Sequence, residues 1–252
     1  GLVAEVKHRV RLYEDSMERL CVMAMLAARW GNEELDAVFL GDLRRLCASD
    51  GQATSGDIAL LGTRFYPATL FFTAFGLGLT AAQDWQRLYS FFSSKIYSYV
   101  HEEKGYQAAN ICYLMSGREI AKNKYWNSRT GSRAYKTALS THLFNKFDEW
   151  SQGTLGAIGN FASLFEKFEI LASLVWCNHL TDRALEGEPP SFICNGRVVW
   201  DESILNPILY QIRSPEFSSK LLEAGFCDGR PERLQKAVSA LVHSCIVTNP
   251  NQ

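Results

Sequence analysis

The chain is short of nearly everything that marks a known chemistry. Its histidines form no H-E-x-x-H or H-x-x-x-H pair, and its cysteines form no C-x-x-C pair. It has no G-x-S-x-G, no G-x-x-x-x-G-K-[ST], and no G-x-G-x-x-G after a strand. The usual signatures of a zinc site, a hydrolase nucleophile, a P-loop and a dinucleotide fold are therefore missing. Net charge is also scarce: 26 basic against 27 acidic residues leave a formal −1, so any pull toward nucleic acid or anionic lipid must be local. No repeat at solenoid periods is visible. Nothing near the start resembles a signal peptide, since Val3 to Arg11 mixes charged and apolar residues.

The seven cysteines, Cys21, Cys47, Cys112, Cys177, Cys194, Cys227 and Cys245, are scattered and odd in number. Most sit beside apolar residues, the pattern of reduced, buried thiols in a cytoplasmic protein rather than a disulfide framework or a metal site. Neither a metal nor a cofactor is expected.

Against this background one stretch stands out. Phe65 to Gln83 runs nineteen residues without a formal charge, between Arg64 and Asp84. Its length approaches that of a membrane span. Pro67, two glycines and three threonines dilute it and no basic cluster flanks one side, so it is read as a buried core helix with no membrane contact. Gly76 and Gly78 inside it are read as points of close packing.

Amphipathic segments surround it. Val3, Val6, Val10, Tyr13, Met17, Leu20, Ala24 and Ala27 follow one another at alternating steps of three and four, a heptad seam that needs a partner along one stripe. Either this helix packs on its own domain, or it is a stalk leading in from an upstream module or pairing two copies. Residues 1–30 are accordingly set apart from a helical domain over 31–252. Glu33 to Ala48 reads as a second helix with Leu35, Val38, Phe39, Leu43 and Leu46 apolar, and the polar run 49–57 as an exposed loop. Asp84 to Val100 reads as helical through Trp85, Leu88, Tyr89, Phe92, Ile96 and Tyr99, with a shorter helix from Ala108 to Ala121. Further helices are expected over Arg133–Trp150, Asn160–Arg183, Glu202–Arg213, Pro215–Ala224 and Pro231–Val247. Asn195-Gly196 between Phe192-Ile193-Cys194 and Val198-Val199-Trp200 predicts a β-hairpin. The fold class is all-α: a multi-helix bundle around the buried apolar helix, with one small hairpin near residues 192–200.

Three places could carry chemistry. Arg118 to Lys136 holds Arg118, Lys122, Lys124, Arg129, Arg133 and Lys136 against the single acid Glu119, with Tyr125, Trp126 and Tyr135 interleaved. Cations neutralise phosphates and aromatic faces stack on bases, so this composition suits nucleic acid or a nucleotide. It equally suits a solvated basic loop. His179 continues the apolar seam Phe161, Phe165, Phe168, Ala172, Val175 and can meet Asp182 one turn on, as an acid–base or metal pair or as a core histidine. Glu166 and Glu169 share a helix face and read as part of a solvated stripe. No residue reads as a convincing nucleophile.

Tyr66-Pro67-Ala68-Thr69-Leu70, the run Phe165 to Val175 and Gly196-Arg197-Val198-Val199-Trp200 occur in an order and rough spacing that resemble a helical C-terminal region of bacterial multidomain proteins. In that group the region follows sirtuin-like, nucleotide-binding or other effector modules, many associated with anti-phage defence. The resemblance implies a recognition, regulatory or assembly element, with another protein or an upstream effector domain as partner, and it transfers no catalytic residue. The opening Gly1 in place of Met fits a piece lying downstream of another module.

Overall fold

A charge-free helix of this length is stable in a bilayer or inside a protein core, and its neighbours decide between the two. The computed structural model describes residues 1–48, 60, 62–101, 105–116, 138–152, 160–185, 196–197 and 202–248. Among these residues the chain is all-α, with ten α-helices and one two-stranded antiparallel sheet. In chain order they are α1 (Leu2–Trp30), α2 (Glu33–Ala48), α3 (Tyr66–Ala82), α4 (Trp85–Phe92), β1 (Lys95–His101), β2 (Gly105–Asn110), α5 (Tyr113–Ser116), α6 (Ala138–Ser151), α7 (Phe161–Leu185), α8 (Glu202–Arg213), α9 (Pro215–Glu223) and α10 (Pro231–Thr248).

Helix α3 is the apolar stretch, and every residue from Ala68 to Thr80 is buried. Pro67 sits in its first turn, where its missing N–H costs nothing. The threonines are tolerated because each hydroxyl is satisfied locally. Thr69 donates to the Phe65 carbonyl at 3.0 Å, Thr73 to Thr69 at 2.8 Å and Thr80 to Gly76 at 2.7 Å. Together with its 3₁₀ lead-in, Thr63–Ala82 is the one described helix long and apolar enough to cross a membrane, yet 78% of the qualifying window is buried inside the protein.

Helix α1 lies along α3. Its buried stripe is Val6, Val10, Glu14, Met17, Cys21, Ala24 and Ala28, so part of the heptad seam is consumed within the chain's own core. Tyr13 and Leu20, expected on that seam, are only half-buried. The approach is close because of Gly78: a Cβ there would run into the Met25 carbonyl and the Ala28 methyl. On another side of α3 the Phe168 ring of α7 occupies the space Gly76 leaves. Phe168 also meets Phe72 at 5.7 Å, Phe92 at 5.9 Å and Phe165 at 6.1 Å between ring centroids. Helix α10 packs on α7 in turn.

Three expectations need correction, one of them the helix expected from Ala108: Ala108 to Asn110 belong to β2, and among the described residues the helix there is Tyr113–Ser116. In α2 the buried side chains are Leu43 and Cys47, whereas Leu35 and Val38 are exposed. The helix expected through Val100 ends at Phe92. Ser93 N–H bonds to the Tyr89 carbonyl and Ser94 Oγ to Ser90, closing the last turn. The Ile-Tyr-Ser-Tyr-Val run beyond it, β-branched and aromatic, becomes β1, antiparallel to β2 in the register Lys95 opposite Asn110 and Ile96 opposite Ala109. Arg44 of α2 donates to the Lys95 carbonyl at 3.1 Å and fixes the sheet to the bundle. Of the hairpin expected at 192–200, only Gly196 and Arg197 are described.

Candidate functional site

Helix α6 concentrates the buried polar chemistry of the described residues. Its spacing sends side chains two ways. Ser140 points to α7, His142 and Lys146 to α1, and Phe144 packs between them and the aromatic start of α7.

The first cluster forms on Glu14, which is only 7% exposed although it lies in the middle of α1. Its Oε1 receives the Tyr66 hydroxyl at 2.8 Å and lies 2.5 Å from His142 Nε2, and His142 and Tyr66 are themselves 3.1 Å apart. Lys146 Nζ stands 3.9 Å from Oε2. Burial is the largest influence on this carboxyl and pushes its pKa up. The His142 bond and charge, the Tyr66 hydroxyl and the Lys146 ammonium together outweigh it, and the pKa settles below its ordinary value. Glu14 is therefore a buried carboxylate that ties α1 to the start of α3 and to α6.

The second cluster corrects an expectation. Glu166 and Glu169 do not form a solvated stripe; both are buried, Glu169 to 4% exposure. Ser140 Oγ donates to Glu169 Oε1 at 2.5 Å and accepts the Arg197 backbone N–H at 2.9 Å. The Arg197 guanidinium is 3.6 Å from Glu166 Oε1 and lies over the Phe144 ring at 3.8 Å. Gly196 presses on Glu169 so closely that a Cβ would collide with its carboxylate. Two adjacent residues, Gly196 and Arg197, thus close over the paired acids.

Other charged groups hold the bundle together. Arg87 forks onto both Asp36 oxygens at 2.6 Å, joining α4 to α2, and that bond holds its pKa above the ordinary value. Burial lowers the pKa of Lys167, whose ammonium faces the Phe217 ring at 5.6 Å. Cys21, Cys47, Cys112, Cys177 and Cys227 are buried, and burial pushes the Cys227 thiol up to about 12. Among the described residues no group of three or more His, Cys, Asp and Glu side chains could hold a metal ion.

All eight residues proposed from sequence for phosphate contact, Arg118, Lys122, Lys124, Tyr125, Trp126, Arg129, Arg133 and Lys136, lie outside the described residues. His179 is half-buried with its ring 5.5 Å from Trp176, and the Asp182 side chain is outside the description. Sequence reasoning missed Glu14, Tyr66 and His142. One signal was present: Glu14 stands four residues after Val10 and three before Met17, an acid set into an apolar stripe.

No family model, no curated protein and no solved structure matches this chain.

Proposed function

We propose that this chain is a non-catalytic sensing, interaction or oligomerisation domain of a bacterial multidomain defence or signalling protein. The observation that carries the reading is where its side chains are spent. The acids, histidine and serine able to do chemistry bond helix to helix inside the bundle. Large apolar side chains remain outside, among them Met23 and Trp30 on α1 and Leu35 and Val38 on α2. Exposed apolar groups of this kind mark contact surfaces, not reaction centres. The resemblance to a helical region behind varied effector modules supports the same reading.

The test is a pull-down from phage-infected bacterial lysate with the chain and its Met23→Glu, Trp30→Glu variant. A defined protein retained by the first and lost from the second is the expected result. A monomeric chain that retains no protein or nucleic acid overturns the reading.

The composition of Arg118–Lys136 favours a second reading, a nucleic-acid or nucleotide-binding module. It predicts binding to a labelled oligonucleotide that weakens steeply with salt and falls when Arg129→Ala is combined with Arg133→Ala. Salt-insensitive binding, or binding unchanged in that variant, removes it.

A further inference from the structure

With one stripe of α1 buried on α3, the opposite stripe is left facing solvent. At the helical repeat, Leu12, Met23 and Trp30 fall within about 20° of one another around the axis. They are 49%, 58% and 72% exposed, with half-buried Leu26 between the last two. Asp15 and Arg19 are exposed on the same side, and so is Glu5 near the N-terminal end. Arg29 flanks the stripe at the other end, its guanidinium 4.6 Å from the Trp30 ring.

This face is complementary to itself when reversed. Set antiparallel about a two-fold axis at residue 17, Asp15 of each copy comes opposite Arg19 of the other. In the same register Leu12 seats between Val22 and Met23. A parallel pair would instead put Asp15 beside Asp15 and Arg19 beside Arg19. The charges therefore select both the occupant and its direction. We propose that a second copy of this chain docks on the outer face of α1, making an antiparallel α1–α1 dimer about 38 Å long. This rests on the interaction-domain reading and names one partner for it.

Sedimentation velocity on the full chain, over concentrations up to the high micromolar, tests it. Wild type is expected to dimerise. Met23→Glu is expected to weaken the dimer at least about tenfold. Asp15→Arg and Arg19→Asp each place like charges opposite one another twice and should each be monomeric. Mixed together they restore both ion pairs and should form a heterodimer. Circular dichroism confirms that each variant folds, which is expected because all three positions are exposed.

A wild type that stays monomeric throughout overturns the proposal. So does a dimer indifferent to these changes, or a pair of charge variants that fail to associate when mixed. A monomer that still retains a different protein through Met23 and Trp30 overturns the self-pairing alone and leaves the interaction-domain reading standing.

Discussion

Helices α3 and α7 are both buried at the centre of the bundle, and they reach that position by opposite means. Helix α3 carries no charge and satisfies its threonine hydroxyls with carbonyls of its own preceding turn. Helix α7 brings Glu166, Glu169 and Ser173 into the interior and depends on Ser140 and Arg197 from elsewhere to accommodate the acids. Past Tyr66 at its first turn, whose hydroxyl bonds to Glu14, a helix of the first kind is self-sufficient in its polar bonding. One of the second kind is correct only when its neighbours are in place, so it specifies the arrangement of those neighbours as well as its own.

The contrast can be broken at its joint. Phe168→Ala removes the ring that links the two helices through Gly76 and Phe72 and that also meets Phe92 of α4, and should cost about 4 kcal/mol by urea unfolding. Ser140→Ala leaves the packing intact but takes the hydroxyl from the Glu169 carboxylate. A loss of about 2 kcal/mol in the same assay is expected, and no loss would place Glu169 among the acids that need no such donor.

The pH dependence reports on the Glu14 cluster, which touches α3 only at Tyr66. A carboxyl whose folded pKa lies below its ordinary 4.5 adds stability that is fully present above that value and drains as pH falls through the folded pKa. The urea midpoint of wild type should fall as pH drops below about 4.5, and Glu14→Gln should flatten that slope. An unchanged slope would assign the acid sensitivity to other carboxyls. The smallest effect belongs to α3: Thr73→Val removes a locally bonded hydroxyl, and the Thr69 carbonyl keeps its place in the helix ladder. A change under about 1 kcal/mol is expected, and a loss as large as that of Ser140→Ala would erase the distinction between the helices.

The same contrast explains what could be read from sequence. The burial of α3 was legible because nineteen uncharged residues have few alternatives, and Gly76 and Gly78 were legible as close contacts because little else places glycine inside a helix. The acids of α7 were not legible. Glu166 and Glu169, three apart among lysine and serine, look the same on paper whether solvated or buried, and the groups that decide it lie at Ser140 and Arg197. The strand after Phe92 was lost to a coincidence, since Trp85, Leu88, Phe92, Ile96 and Tyr99 happen to step by three and four through a run whose β-branched and aromatic residues pair as a sheet. The outer face of α1 is less legible than its inner one, because Leu12, Met23 and Trp30 recur at steps of eleven and seven, not three and four.

The bond between Glu14 and His142 joins positions 128 apart in the chain. Synthesis delivers α1 before its partners in the cluster, and α3 follows with the tyrosine that bonds Glu14. The imidazole arrives only with α6, 128 residues after Glu14. Until then α1 carries an acid whose buried partners are incomplete. Its final seating must wait for the closure of the widest loop in the Glu14 cluster, so α1, made before its partners, is locked only when the last of them arrives.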